Sequence, residues 1–510
     1  MPSNVLEDNI SPRSSEASLN QRNGVNQAIP GEVGTNSSGP ALSRTIHPAA
    51  NALESFELDT PISLARPSTE LSPRSASPLA SLEPQPSDLD REAFALLLEK
   101  KIVFSKGGTK DPQWSTLAIL LNRFSDDEMV LNFALAAALT ELSWKPDTLQ
   151  ELQRSLAMQA RASELYTTGK EMLFCLIGSS AVDEPDHFRV VASFWFWHLQ
   201  HWRDFDQDRL AHSELSKCMR EYYLRHNLVR LLAARELYAG ERNSRMACMA
   251  RLTTWLFWAD VPACFQGHGG AFSKLLLESP LDALSRIYSR GKSTQRSNFP
   301  RYPAEQIRDD DHNERTFELL HDVWVLNQII TDVLDSGTML SPDQVVELGN
   351  RIKELLLGRN ANTVALAESP DAVRDRHLGN ADWAVASLYA LCIYLFRCTL
   401  DSGPDALAVL PPEVSAIARD TSGLLWIMDR SIKRGPEGQS ERFQWPIFWA
   451  GIESFEKCSW LQRDWVQGKL TSPSLLATFQ VIQEEQLATG LRAGIGRVRE
   501  VCREPWGGVL

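Results

Sequence analysis

Eight cysteines occur in 510 residues, at positions 175, 218, 248, 264, 392, 398, 458 and 502, and no two are separated by two or four residues. Zinc knuckles, ribbons and binuclear zinc clusters are built from such local pairs, so none is expected, and neither is any other metal site. Without a leader, scattered cysteines in apolar surroundings are expected to be reduced, buried thiols. Alternating apolar and polar residues flanked by hairpin turns are also missing, and Asn23-Gly24, the strongest hairpin signal present, stands far from any such run. Positive charge is scarce: 52 Lys and Arg against 65 Asp and Glu leave a net charge of −13. That balance opposes binding that depends on neutralising many phosphates, so direct DNA binding is not expected. The apolar stretch from Trp383 to Phe396 is shorter than the roughly 18 residues a membrane span needs, and no membrane association is expected. Met1 to Ile10 carries Glu7 and Asp8 without an apolar centre, so no secretory or transit segment is expected.

What is present divides the chain in two. Residues 1–88 hold 11 of the 27 prolines, 16 serines and a single aromatic residue, Phe56. Such a segment has too little apolar area to offset the entropy of ordering its backbone, and is expected to be disordered. Residues 89–510 hold all 15 tryptophans and all eight cysteines. They can bury one large core.

Helix punctuation recurs through that second part. Asp111-Pro112 predicts a helix start, and Ser125-Asp126-Asp127-Glu128 has the pattern of a capping box opening an apolar helix through Leu139. Pro146 predicts a further helix with Leu149, Leu152 and Leu156 on one side and Gly169 as its left-handed end. A helix from about Ser244 becomes apolar on every side at Trp255-Leu256-Phe257-Trp258, the mark of burial between other helices. Residues 289–310, with Gly291, Pro300, Pro303 and five basic residues including Arg290 and Arg308, read as a long basic surface loop. Ser341-Pro342-Asp343-Gln344 caps another helix. Trp383 to Leu400 reads as a central buried helix, and Pro446 opens a segment with Phe448, Ile452 and Phe455. The predicted fold is all-α, an irregular stack of helix pairs without a fixed repeat.

Several motifs look like sites when taken alone. Gly291-Lys292-Ser293 ends as a phosphate loop ends, but Arg286 stands where the leading glycine is needed, so solvated surface is expected. Gly267-His268-Gly269-Gly270 lacks the Gly-x-Ser-x-Gly elbow that an esterase would require, and reads as a sharp turn between buried helices. His198, His201 and Asp204, with His187 or His212, could surround a metal, but His and Trp at a helix seam account for them. Ser454 in Ser454-x-x-Lys457 is expected at the surface. Asp310, Asp311 and Glu314 match an Asp-Asp-x-x-Glu pattern that gathers magnesium around a diphosphate in helical prenyl-diphosphate enzymes. Acids at a helix start also simply complement its dipole. No catalytic residue and no cofactor is predicted. A helical enzyme using Asp310, Asp311 and Glu314, and a helical scaffold, are the alternatives to a regulator.

Three stretches resemble the regulatory region of fungal-specific zinc-cluster transcription factors. They are Leu131-Asn-Phe-Ala-Leu-Ala-Ala-Ala-Leu139, Met249-Ala-Arg-Leu-Thr-Thr-Trp-Leu-Phe-Trp-Ala-Asp260 and Trp445-Pro-Ile-Phe-Trp-Ala-Gly-Ile-Glu453, the last followed by Arg463-Asp464-Trp465. The likeness spans about residues 89–510. It implies an all-helical regulatory domain, a nuclear location, and partners among the transcription machinery or co-regulators, with a small-molecule effector as a further partner. The family's six-cysteine cluster, its basic surroundings and its coiled coil are missing from these 510 residues. The expectation is therefore a regulator that works through protein partners, or a chain that starts downstream of its DNA reader. Ser11, Ser72 and Ser77, each before proline, resemble proline-directed phosphorylation sites, where phosphate would add negative charge to the tail.

Overall fold

The computed structural model describes residues 88–98, 112–143, 149–179, 183–201, 209–235, 240–280, 282–372, 376–434, 442–454 and 460–504. Of these, 85% are helical and none is in a strand, which bears out the all-α prediction. The expected disorder of residues 1–87, and with it Ser11, Ser72 and Ser77, lies outside the described residues. Asp88 is already helical.

The main helices are α1 (Asp88–Leu98), α2 (Thr116–Phe124), α3 (Glu128–Leu142), α4 (Leu149–Gly178), α5 (Glu184–His201), α6 (Arg209–Arg225), α7 (Gly240–Phe265), α8 (Ala271–Glu278), α9 (Ala304–Asp335), α10 (Pro342–Leu357), α11 (Arg376–Ser402), α12 (Ser422–Arg434), α13 (Gln444–Glu453), α14 (Pro473–Thr489) and α15 (Ile495–Arg503), joined by shorter ones. Packing runs from neighbour to neighbour. Helix α3 lies on α4 and α5, α5 on α7, α7 on α9, and α9 on α11. Helix α11 then meets α12, α13 and α15. By length and apolarity α11 could cross a membrane, but 89% of its apolar window is buried within the protein. It extends beyond the apolar stretch at both ends, and its charged residue Arg397 is as buried as its leucines.

Caps explain where the helices begin, and they correct two predictions. Pro112 opens a short 3-10 turn, Pro112–Trp114, as its position predicts, with Asp111 outside the described residues, but the α-helix α2 starts only after Ser115, whose hydroxyl accepts from the Ala118 amide at 3.1 Å. Asp127, not Ser125, caps α3, its carboxylate accepting from Val130 at 3.0 Å. Ser125 is spent ending α2. At α10 the predicted box is complete, with Ser341 and Gln344 each satisfying the other's backbone N–H.

Gly169 does not end α4. The helix continues to Gly178, with Leu152 and Leu156 turned to solvent. A β-carbon at Gly169 would lie 3.1 Å from Phe133 Cδ2, so the missing side chain is what lets α4 close onto α3. Phe133 in turn stacks on Trp197 of α5, with centroids 6.2 Å apart. The predicted long basic loop is broken by helices: Ala283–Gly291 and Thr294–Asn298 cover part of residues 289–310 and α9 begins at Ala304, leaving residues 292–293 and 299–303 as short connections. Three of its five charges are engaged: Arg290 donates to the carbonyls of Leu231 and Ala234, Lys292 pairs with Glu314 and Glu318, and Arg296 pairs with Asp311, while Arg308 stays exposed.

Candidate functional site

The second family-like stretch ends at Asp260, near the end of α7. After Pro262 the chain leaves α7 through Gly267 (φ +85°) and Gly270 (φ +91°) and enters α8. This is the sharp turn predicted from the glycine run. A β-carbon on Gly270 would lie 2.2 Å from Cys264 Sγ, so glycine is needed there for space as well as for φ. Asp260 is fully buried, and its Oδ2 accepts from the amides of Gly270 (3.0 Å) and Ser273 (2.9 Å) and from the Ser273 hydroxyl (2.9 Å). One carboxylate thus ties the end of α7 to the first turn of α8. Burial pushes its pKa up, but hydrogen bonding and charge from His212, with help from Ser216 and the Ser273 amide, outweigh burial and hold it below the ordinary carboxylate value.

His212 of α6 approaches Asp260 with Nε2 3.6 Å from Oδ1. Its ring stands 5.9 Å from that of His198 and 6.2 Å from that of His268, so three buried imidazoles gather beside the aspartate. Burial, reinforced by His212 and His201, pushes His198 down to about 3 and keeps it neutral. The other histidines go elsewhere. His201 packs edge-on to Tyr166 at 4.9 Å, and His187 bonds Tyr222 Oη at 2.7 Å. Asp204 lies outside the described residues. The structure therefore brings His198 and His212 together and leaves His201 and His187 apart.

Beyond Asp260 the polar interior continues. The Ser273 hydroxyl also lies 3.0 Å from Gln328 Oε1, and Gln328 Nε2 donates to Asp332 at 2.7 Å and to Cys264 Sγ at 3.4 Å. Cys264, Asp332 and Asp335 are the one group among the described residues whose ligand atoms come close enough to hold a metal. Cations already occupy their surroundings. Lys274 reaches Asp335 at 2.8 Å and Asp332 at 3.6 Å, Arg503 reaches Asp335 at 2.7 Å, and Arg499 also pairs with Asp335. Two carboxylates against three cations would repel a further divalent ion. The cluster instead fastens α15 to α8 and α9. Burial alone would raise the pKa of Asp335, but Lys274, Arg503 and Arg499 hold it well below the usual carboxylate range. Sequence reasoning missed this cluster because its members are far apart in the chain, Asp335 and Arg503 alone by 168 residues.

The acidic motif is dispersed. Asp310, Asp311 and Glu314 sit one to three turns inside α9, which begins at Ala304, and not at a helix start. Asp310 accepts from Tyr302 Oη at 2.6 Å and faces Arg376 at 3.5 Å. Asp311 pairs with Arg296, and Glu314 with Lys292 at 2.7 Å. Each is matched to a separate cation. Lys292, expected on solvated surface, is instead half-buried and paired with Glu314 and Glu318, and Gly291 before it is buried. Ser454, predicted at the surface, is buried, with its hydroxyl 2.9 Å from that of Thr421; Lys457 lies outside the described residues.

Fold and site together define an all-helical body whose interior polar groups tie distant helices to one another. Comparison with protein-family models, with curated proteins and with solved structures finds no match.

Proposed function

We propose that the chain is a transcription regulator of the fungal zinc-cluster type that acts through its helical body, residues 89–510, in the nucleus, by engaging co-regulators or the transcription machinery. One observation carries this reading: the three family-like stretches form a connected part of one core. Leu131–139 lies in α3, which packs on α5, and α5 packs on α7, which carries 249–260. At its far end Phe265 of α7 meets Trp445 at 4.9 Å and Trp449 at 5.5 Å, both in the third stretch. Asp260, which closes the second stretch, supports the reading further as a buried hub.

The acidic balance of −13 favours action of these residues through proteins over direct contact with DNA. The test is a tagged full chain expressed from its own locus, with transcript profiling after deletion. Nuclear accumulation and altered transcripts are expected. Strictly cytosolic residence with an unchanged transcript profile would overturn the proposal.

A further inference from the structure

Four hydrogen-bond donors point into one half-buried region without an acceptor. They are Nε of Arg251 on α7, Nε of Arg376 and the indole Nε1 of Trp383 on α11, and Nη1 of Arg442 just before α13. The four residues are partly exposed, whereas the donor atoms themselves are shielded from solvent. The Arg442 guanidinium lies over the Trp383 ring at 4.9 Å, and Trp383 meets Trp258 edge to face at 6.3 Å. Arg251 lies over Trp255 at 5.1 Å and reaches Gln295 Oε1 at 3.3 Å.

Among the described residues the charges here do not balance. Arg376 pairs with Asp309 and Asp310, and Asp310 also acts on Arg251 at longer range. Arg442 has no carboxylate partner among the described residues. Three guanidinium groups face two carboxylates. Burial pushes Arg442 down to about 9, with Arg376 acting in the same direction, and pushes Arg376 to about 10, with Arg251 adding to it. Guanidinium groups still hold their protons at neutral pH, so a net positive charge remains beside low-dielectric aromatic walls. Unmatched buried donors and an unbalanced buried charge are both costly, and a bound anion removes both costs together.

We propose that Arg251, Arg376 and Arg442, with the indole N–H of Trp383, form a binding site for the anionic group of a small organic acid, whose planar apolar body rests against Trp258 and Trp383. The planar fork of an arginine suits carboxylate and phosphate oxygens, and tryptophan faces suit a flat apolar group. The site is independent of the regulatory reading, because it rests on donors, charge and aromatic walls alone.

The test titrates the full chain with sodium benzoate, inorganic phosphate and neutral benzamide, reading calorimetric heat and thermal stability at constant ionic strength. Saturable stabilisation by benzoate, absent with benzamide, supports a carboxylate carried on a flat body. Saturable stabilisation by phosphate alone supports a phosphorylated ligand in the same site. Binding should fall at least tenfold in Arg442→Gln and in Arg251→Gln, and stay unchanged in Arg308→Gln, an exposed arginine on α9. Trp383→Phe keeps the ring and removes one donor, and should weaken binding about fivefold, which keeps the proposal testable if an arginine variant fails to fold. Without ligand, Arg442→Gln should match or exceed the parent protein in thermal stability, since it removes an unbalanced charge; a purely structural arginine would lower it. No saturable binding of benzoate or phosphate, or binding that survives all three substitutions, would overturn the proposal.

Discussion

Arg397 and Glu453 form an ion pair in which both side chains are completely removed from solvent. Glu453 Oε2 receives Nε of Arg397 at 2.7 Å and Nη2 at 2.6 Å. The other guanidinium donors reach Gln486 Oε1 (2.7 Å), the Ala493 carbonyl (2.6 Å) and the Ile452 carbonyl (3.1 Å). Glu453 Oε1 takes Arg492 at 2.6 Å. Every N–H of the guanidinium is therefore matched, and α11, α13, α14 and the approach to α15 meet at this one side chain.

Removing either partner leaves a buried charge unmatched. Arg397→Met and Glu453→Gln are each expected to lower unfolding stability by about 3–5 kcal/mol. Together, Arg397→Met and Glu453→Leu should cost less than the sum of the single changes, because neither charge is then stranded. Urea denaturation at pH 7.5 reads all of these, and strictly additive losses would show that the pair does not act as a unit.

Asp260 supplies the acceptor for two amides and one hydroxyl at the start of α8. Asp260→Ala strands those donors in the core and should cost about 3 kcal/mol or more, while Asp260→Asn, which keeps one acceptor oxygen, should cost less. Hydrogen exchange should show faster amides at Gly270 and Ser273 in the alanine variant before any change appears in α3. Equal exchange in parent and variant would contradict the capping role.

Stability should fall in acid in two stages. Burial pushes both His198 and His321 down to about 3, against an ordinary value near 6.5. Between those values the unfolded chain binds protons that the folded chain does not, so stability falls as pH drops through that window. At pH 5 each histidine should account for about 2 kcal/mol lost relative to pH 7.5. Asp335, whose pKa is depressed, adds a loss of the same sign only below the ordinary carboxylate range near 4. His321 accepts from Trp258 Nε1 at 3.2 Å and stacks on Tyr288. His321→Phe therefore lowers stability at pH 7.5 but should flatten the slope between pH 7.5 and 5; an unchanged slope would mean the imidazole does not titrate with folding.

Thiol reactivity should be strongly graded. Among the described cysteines Cys175 is exposed, whereas Cys248, Cys264, Cys392, Cys398 and Cys502 are buried. The expectation that all the thiols are buried thus fails at Cys175, on the outer face of α4. Burial pushes Cys248 and Cys264 up to about 12, with Cys392 and Cys398 raised further. An aromatic disulfide reagent with the native protein should modify Cys175 first, and mass spectrometry of the peptides identifies it. Early labelling of Cys392 or Cys398 would contradict the packing of α11.

Much of the fold was legible because it depends on neighbours in sequence. The box at Ser341, the apolar course of α11 and the turn at Gly267 to Gly270 each rest on residues within a few positions of one another. The errors have the same origin. Gly169 looks like a helix end in sequence because its real reason, the ring of Phe133, lies on another helix. Residues 289–310 look like one long loop because the acceptors that hold Arg290 and Arg296 lie on other elements. For the candidate sites, the clustering of His198 with His212 was half visible, while Asp335, Lys274, Arg499 and Arg503 carried no local signal.

The sequence by itself determined that residues 89–510 would build helices around a tryptophan-rich core, since periodicity and caps are local properties of the chain. Only the tertiary structure decided which charges would be neutralised. Arg397 found Glu453 56 residues away, whereas among the described residues Arg251, Arg376 and Arg442 carry more positive charge than the carboxylates beside them offset. Electrostatic balance depends on distances of a few ångströms between distant parts of the chain, and those distances exist only once the helices have packed.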